Sequence, residues 1–407
     1  AAKKQTDICQ HGNGAGNGLL NVTGGSVTSS LNNIGLNWAN TAGSISILNV
    51  GGGAGAASVT GNNSASSGLS LSESATAGTT AVANLLANGT LTVGKVYASQ
   101  AASTALLNFN GGTLKATAVN AGASFLTSGN IDGVYIYPNG GTIDNNGTSI
   151  TISRPLLAPT DTGVSSISGP TTQGSGYIGA PLVTITGGAG SGATAYAVMA
   201  DDGTGAGTYK VSSIVVTSPG VYTSTAGLTV TLTGGGAVTA ATGFTINTAA
   251  NTSGAMTFQG SGTSAVYPSS TYTGGTTITN CTVTAEANNT TTPGHFGTGA
   301  VTVNGNGTLG KIVLGSGSVS GVNNSTVTVA NNFALTNAFL YVQDQRQVIN
   351  GTVAIGSAGA TMGSTYNNAG AEADKGLILS GVVSGSGPIT IQHTRIVTGQ
   401  PYHVGFV

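Results

Sequence analysis

The sequence predicts an all-β protein: a β-solenoid interrupted by one small inserted β-domain. Three observations carry that prediction. Charge is nearly missing, since Asp, Glu, Lys and Arg make up 5% of the 407 residues, against roughly 25% in an average soluble domain. Short segments alternate apolar with small polar residues, the period of a strand with one buried face. Glycine-rich turns of a single type return at nearly regular intervals.

In residues 1–159, Ser44–Val50 (SISILNV), Thr90–Val93 (TLTV), Val134–Tyr137 (VYIY) and Ser149–Ile152 (SITI) read as strands. The turn NGTL begins at 88, NGGTL at 110 and NGGTI at 139. That spacing suits one coil of a few short strands joined by tight turns. Pro155, Pro159 and Pro170 then interrupt the pattern, and 160–247 reads as the insert. Within it Gly174–Gly188 (GSGYIGAPLVTITGG) and Ser218–Gly235 (SPGVYTSTAGLTVTLTGG) repeat one another, with Asp201–Gly207 (DDGTGAG) between them. Residues 248–407 resume the solenoid, with Ala300–Val303 (AVTV), NGNGTL at 304–309 and Ser325–Ala330 (STVTVA). The nearest helix candidates, Ala81–Ala87 (AVANLLA) and Ala369–Lys375, are short.

Stacking explains the composition. Neighbouring strands lie about 4.8 Å apart, so equivalent side chains of successive coils sit over one another. Like charges in such a column repel. Thr, Ser, Asn and Val stack without that cost, and asparagines form hydrogen-bonded ladders. From Val211 to Ala285 the chain carries no Asp, Glu, Lys or Arg at all, as a long regular stack favours. Disorder is disfavoured, because disordered chains combine low hydrophobicity with high net charge, whereas here the net charge is −1 and 39% of residues are hydrophobic. Scattered basic residues and that balance give no nucleic-acid surface. No apolar run reaches the ~18 residues of a membrane span.

The segment Tyr272-Thr273-Gly274-Gly275-Thr276-Thr277-Ile278 resembles the core of the autotransporter-associated β-strand repeat. Gly297–Asn304, Gly307-Thr308-Leu309 and Gly376–Ile391 (GLILSGVVSGSGPITI) continue the likeness. Leu107–Leu114 and Gly140–Asp144 look like segments common in large secreted bacterial proteins of this type. The resemblance implies a right-handed parallel β-helix, secreted and extracellular or on a cell surface. The chain departs from autotransporters in showing no C-terminal barrel before Val407. Its opening, Ala1-Ala2-Lys3-Lys4, suits the mature end left by leader cleavage.

Parallel β-helices also carry polysaccharide-cleaving enzymes, whose paired aspartates, Gly-His and Arg-Ile-Lys have partial counterparts in Asp201-Asp202, Gly294-His295 and Arg395-Ile396. Val397 stands where the lysine would be, and the three pairs are far apart in sequence. Hydrolysis needs two carboxylates flanking one bond, and adjacent residues of a strand point to opposite faces. No catalytic residues are therefore expected. Asp201-Asp202 could form a calcium loop, but two carboxylates fall short of the six to eight oxygens that calcium takes. His11, His295, His393 and His403 lack metal-ligand spacing, and no cofactor is expected.

Cys9 and Cys281 lie many coils apart, beyond the ~7 Å reach of a disulfide within one chain. The candidate bond joins Cys9 of one subunit to Cys281 of another. The C-terminal segment Ile396–Val407 (IVTGQPYHVGFV), with Ile396, Val397, Tyr402, Val404, Phe406 and Val407, is the candidate strand donated to a neighbour. The expected function is a structural subunit that assembles with itself, end to end or by strand donation, into an extracellular fibre or surface layer. The alternative is a monomeric surface adhesin binding glycans or host material, with Tyr135, Tyr137, Tyr177 and Tyr222 as candidate sugar platforms. An enzyme ranks third.

Overall fold

The computed structural model describes residues 5–7, 16–30, 33–36, 41–63, 68–73, 75–119, 121–127, 129–285, 294–315, 326–343, 346–366 and 376–395. The described chain is all-β, a parallel β-solenoid with an antiparallel insert. One N-terminal coil shows the plan. Thr80–Leu86 runs along a first face, Gly89–Val93 along a second and Lys95–Tyr97 along a third. Between the first two, Asn88 takes a φ of 64°, a left-handed corner that asparagine tolerates better than most residues.

Each face is a sheet whose strands come one from each coil. The second face has 11 strands, from Gly25–Thr28 to Val383–Gly385. The third has 12, from Gln5–Asp7 to Ile389–Arg395. The first is a 5-stranded sheet from Gly18–Val22 to Gly133–Ile136, and resumes as a 3-stranded sheet of Thr326–Val329, Arg346–Ile349 and Gly376–Leu379. All strand pairs of these sheets are parallel and mostly in direct register. On the second face one inward column reads Val27, Val59, Leu91, Leu114, Ile143, Phe258, Ile278, Val303, Leu335, Ile355 and Gly385. The outward column beside it is Ser or Thr from Ser26 to Thr302, the uncharged ladder that stacking selects.

The insert leaves after Leu157, which closes the first face by exchanging backbone bonds with Val134 and Ile136. The chain returns at Met256–Gln259, directly in register on Gly141–Asp144, so the stack runs through without a missing rung. The insert is a four-stranded antiparallel sheet in the order Ala189–Asp201, Tyr209–Ser224, Thr162–Ser168, Thr245–Ala250, beside the pair Leu182–Thr186 and Thr229–Thr233. The strand Thr245–Ala250 carries it past residue 247. The Asn251 amide donates to the Asp161 carbonyl at 2.8 Å and ties its two ends together. Val164, Ile167, Tyr177, Val183, Val211 and Tyr222 form a core separate from that of the solenoid.

The insert covers the outer side of the first face. Ile47, Val82 and Leu106 point away from the solenoid core and are nonetheless buried. Beside this column, two residues further along each strand, runs the in-register column Asn49, Asn84, Asn108. The Asn84 amide donates to Asn49 Oδ1 at 2.7 Å and to Thr194 Oγ1 of the insert at 2.9 Å. Asn108 donates to Asn84 Oδ1 at 2.9 Å and to Ser218 Oγ at 3.1 Å. Thr80–Leu86 is therefore buried on both faces, and the apolar run AVANLL is a doubly covered strand rather than a short helix.

Candidate functional site

The family-like segment 272–278 resolves into structure-building residues. Tyr272 is buried, and its hydroxyl lies 2.5 Å from Thr276 Oγ1, which in turn donates to the Phe296 carbonyl at 2.8 Å. A Cβ on Gly274 would overlap the Gly254 backbone, and Gly275 holds a φ of +91°. Ile278 continues the inward column. The motif seats one coil on the next and presents no reactive group outward.

Cys281 lies in the same core, fully buried. Burial pushes its thiol up to about 12. A partner's cysteine cannot reach it in this fold, which counts against the expected intermolecular bond at its Cys281 end. Cys9 lies outside the described residues, as do Ile396, Val397, Tyr402, Val404, Phe406 and Val407.

The acidic pair sits at a turn of the insert, not in a cleft. The Asp202 carboxylate accepts from the Gly176 amide at 2.9 Å, the Thr204 amide at 3.0 Å, the Thr204 hydroxyl at 2.7 Å and the Thr208 hydroxyl at 2.8 Å. These donors, the Gly176 amide foremost, hold its carboxyl well below the usual carboxylate range. Asp201 accepts from the Gly203 amide at 2.7 Å. The loop thus closes on itself through its own amides and hydroxyls. His295 belongs to a distant coil and is buried with Nδ1 unpartnered; Arg395 ends the last described strand of the third face. The polysaccharide-cleaving constellation is not brought together. Among the described residues no three His, Cys, Asp or Glu side chains cluster for a metal.

Three of the four tyrosines considered as sugar platforms are interior. Tyr137 is covered by the insert around Ser218 and Gly220. Tyr177 accepts a 2.8 Å bond from the Ala241 amide inside the insert core, and Tyr222 is buried in that core too. Alternation in the sequence could not tell an outward tyrosine from one facing the insert.

End-to-end assembly is expected from the sequence, but the particular residues of the outermost described coils are not singled out there. In the penultimate coil Val353 and Met362 are 0% and 2% exposed. Their column neighbours in the last described coil, Val383 and Ile391, are 40% and 37% exposed, and Ile389 is 42% exposed. At the other end Val27, below the fully covered column of Val59 and Leu91, is 36% exposed. The outermost described coils therefore carry apolar columns that are more exposed than the same columns in the coils inside them. Their shapes also complement: laid in register, Gly25–Thr28 on Val383–Gly385 sets Val27 against Gly385 and Val383 against Gly25. The only signal for this in the sequence is apolar alternation in GVVSGSGPITI, which looks like that of every other coil. No protein-family model, curated protein or solved structure matches the chain.

Proposed function

We propose that this chain is a structural, non-enzymatic subunit that stacks head to tail on copies of itself, forming a fibre or layer outside the cell. The supporting observation is the uncharged parallel stack in direct register, whose outermost described strands Gly25–Thr28 and Val383–Gly385 carry apolar columns that a further coil can continue, valine opposite glycine. The two ends are different surfaces, so the contact is heterologous and propagates instead of closing into a dimer. Each joint would add backbone bonds along the exposed strand edges and cover Val27, Val383, Ile389 and Ile391. Covering one such side chain stabilises by roughly 1.5–3 kcal/mol when burial is complete. Export is supported by the charge-poor Gly/Thr composition and by the resemblance of 272–278 to repeats of secreted proteins.

Sedimentation velocity and electron microscopy of the purified chain test the reading. Linear particles one solenoid wide, lengthening with concentration, are expected. The double variant Val383→Lys, Ile391→Lys should remain monomeric with an unchanged β circular-dichroism spectrum. A parent chain that stays monomeric at high concentration defeats the proposal.

A further inference from the structure

A chain rich in asparagine, serine and threonine carries many Asn-x-Ser/Thr triplets, the acceptor pattern for N-linked sugars. Transfer needs a free carboxamide nitrogen, Nδ2, on a triplet that a transferase can reach. The fold sorts the triplets by that requirement. At several of them Nδ2 is already spent on a carbonyl. Asn62 donates to Ser30 at 3.1 Å, Asn88 to Gly53 at 3.0 Å and Asn146 to Ala116 at 3.1 Å. Asn251 donates to Thr160 at 2.8 Å and to Gly220 at 2.9 Å. In others the middle residue is buried: Val22 after Asn21, Cys281 after Asn280 and Gly351 after Asn350. The triplets beginning at 288, 289, 323 and 324 lie outside the described residues.

Asn306-Gly307-Thr308 differs on both counts. All three residues are exposed. They lie in the corner between Val301–Asn304 and Lys311–Leu314. The Asn306 amide closes that corner by donating to the Leu309 carbonyl at 3.1 Å, and the Gly310 amide ties it to the Cys281 carbonyl at 3.2 Å. Asn306 Oδ1 accepts from the Thr308 amide at 3.1 Å and from the Leu309 amide at 2.8 Å, an Asx turn that holds the carboxamide in place. Two N–H donors identify the accepting atom as the oxygen, which leaves Nδ2 over. Among the described residues neither that nitrogen nor the Thr308 hydroxyl makes a hydrogen bond.

We propose that Asn306 is the acceptor for an N-linked hexose, added to the folded chain from a nucleotide-activated sugar. Nδ2 bonds to C1 of the sugar as the C1–O bond to the nucleoside diphosphate breaks. The diphosphate leaves with the electron pair, and one Nδ2 proton passes to a base of the transferase. Neither bond to Oδ1 is lost. The same transfer at Asn88, Asn146 or Asn251 must first open a bond that holds the fold. The inference uses none of the residues of the end-to-end contact, and a chain that never polymerises still tests it.

The purified folded chain is incubated with UDP-glucose and a soluble asparagine glucosyltransferase that recognises Asn-x-Ser/Thr, and peptide mapping by mass spectrometry locates the sugar. Hexose should appear at Asn306, while Asn88, Asn146 and Asn251 react about tenfold more slowly, the effect of having to open a hydrogen bond. Synthetic peptides spanning the four triplets should react at similar rates, so that the difference belongs to the fold. Thr308→Ala should abolish modification at Asn306 with an unchanged circular-dichroism spectrum. Absence of hexose at Asn306 in the folded chain, equal rates at Asn306 and Asn88, or peptides that reproduce the order of the folded chain overturn the proposal.

Discussion

The first face is built in two ways along one molecule. In the N-terminal coils Ile45–Val50, Thr80–Leu86 and Thr104–Asn110 are buried nearly throughout, because the insert covers their outer side. At the C-terminal end Gly376–Leu379 belongs to the same kind of face and is half-exposed along its length. Covered strands keep the outward Ile47, Val82 and Leu106 buried, whereas the outward column Thr328, Val348, Ile378 of the uncovered strands is exposed or half-exposed, and asparagines of the covered strands bond to the insert instead of to water. The difference shows that one repeating backbone plan supports two surface chemistries, chosen by what lies against it.

The largest effect that sharpens this comparison comes from the covered core. Phe109→Ala empties a fully buried site and should cost about 3–5 kcal/mol, read as a lowered denaturation midpoint. Next is the polar seam. Asn84→Ala removes donors to Asn49 and Thr194 and the acceptor for Asn108, leaving buried groups unsatisfied at a cost of about 1–3 kcal/mol. The exposed Asn304 occupies an outward column of the uncovered second face, so Asn304→Ala should stay within about 0.5 kcal/mol. Equal costs for the two asparagine variants would break the comparison.

The smallest effect is set by pH. Burial lowers the His295 pKa from its ordinary value, against the opposing bond to the Pro268 carbonyl. The folded chain therefore resists protonating this imidazole, while the unfolded chain takes the proton near pH 6.5. Stability should be unaffected above that pH and fall as the pH drops below it, toward the lowered folded value. Melting curves at pH 7.5 and pH 5.5 should separate for the parent and draw together for His295→Gln.

Much of the solenoid was legible because its signals are local. Ser149–Ile152 is a strand with the predicted bounds, and SISILNV, TLTV, VYIY, AVTV and STVTVA fall on strands within a residue or two. Period-two alternation and Asn/Gly corners need no knowledge of distant residues. The seam under the insert was not legible, because Asn84 meets Thr194 and Thr217 at separations of 110 and 133 residues. Tyr137 failed as an outward platform for the same reason. The more exposed outermost columns were hidden differently: Val383 and Ile391 match their inward neighbours in type, and only their place in the outermost described coil sets them apart.

The unbroken step from Ile143 to Phe258 has a consequence for how such a chain can change. With Asp161 and Asn251 joined, the chain leaves and re-enters the stack at one place, and the insert's length is invisible to the rungs on either side. A lobe of another size or shape could be exchanged there without disturbing the scaffold, provided it still shields the greasy patch at Ile47, Val82 and Leu106 from water.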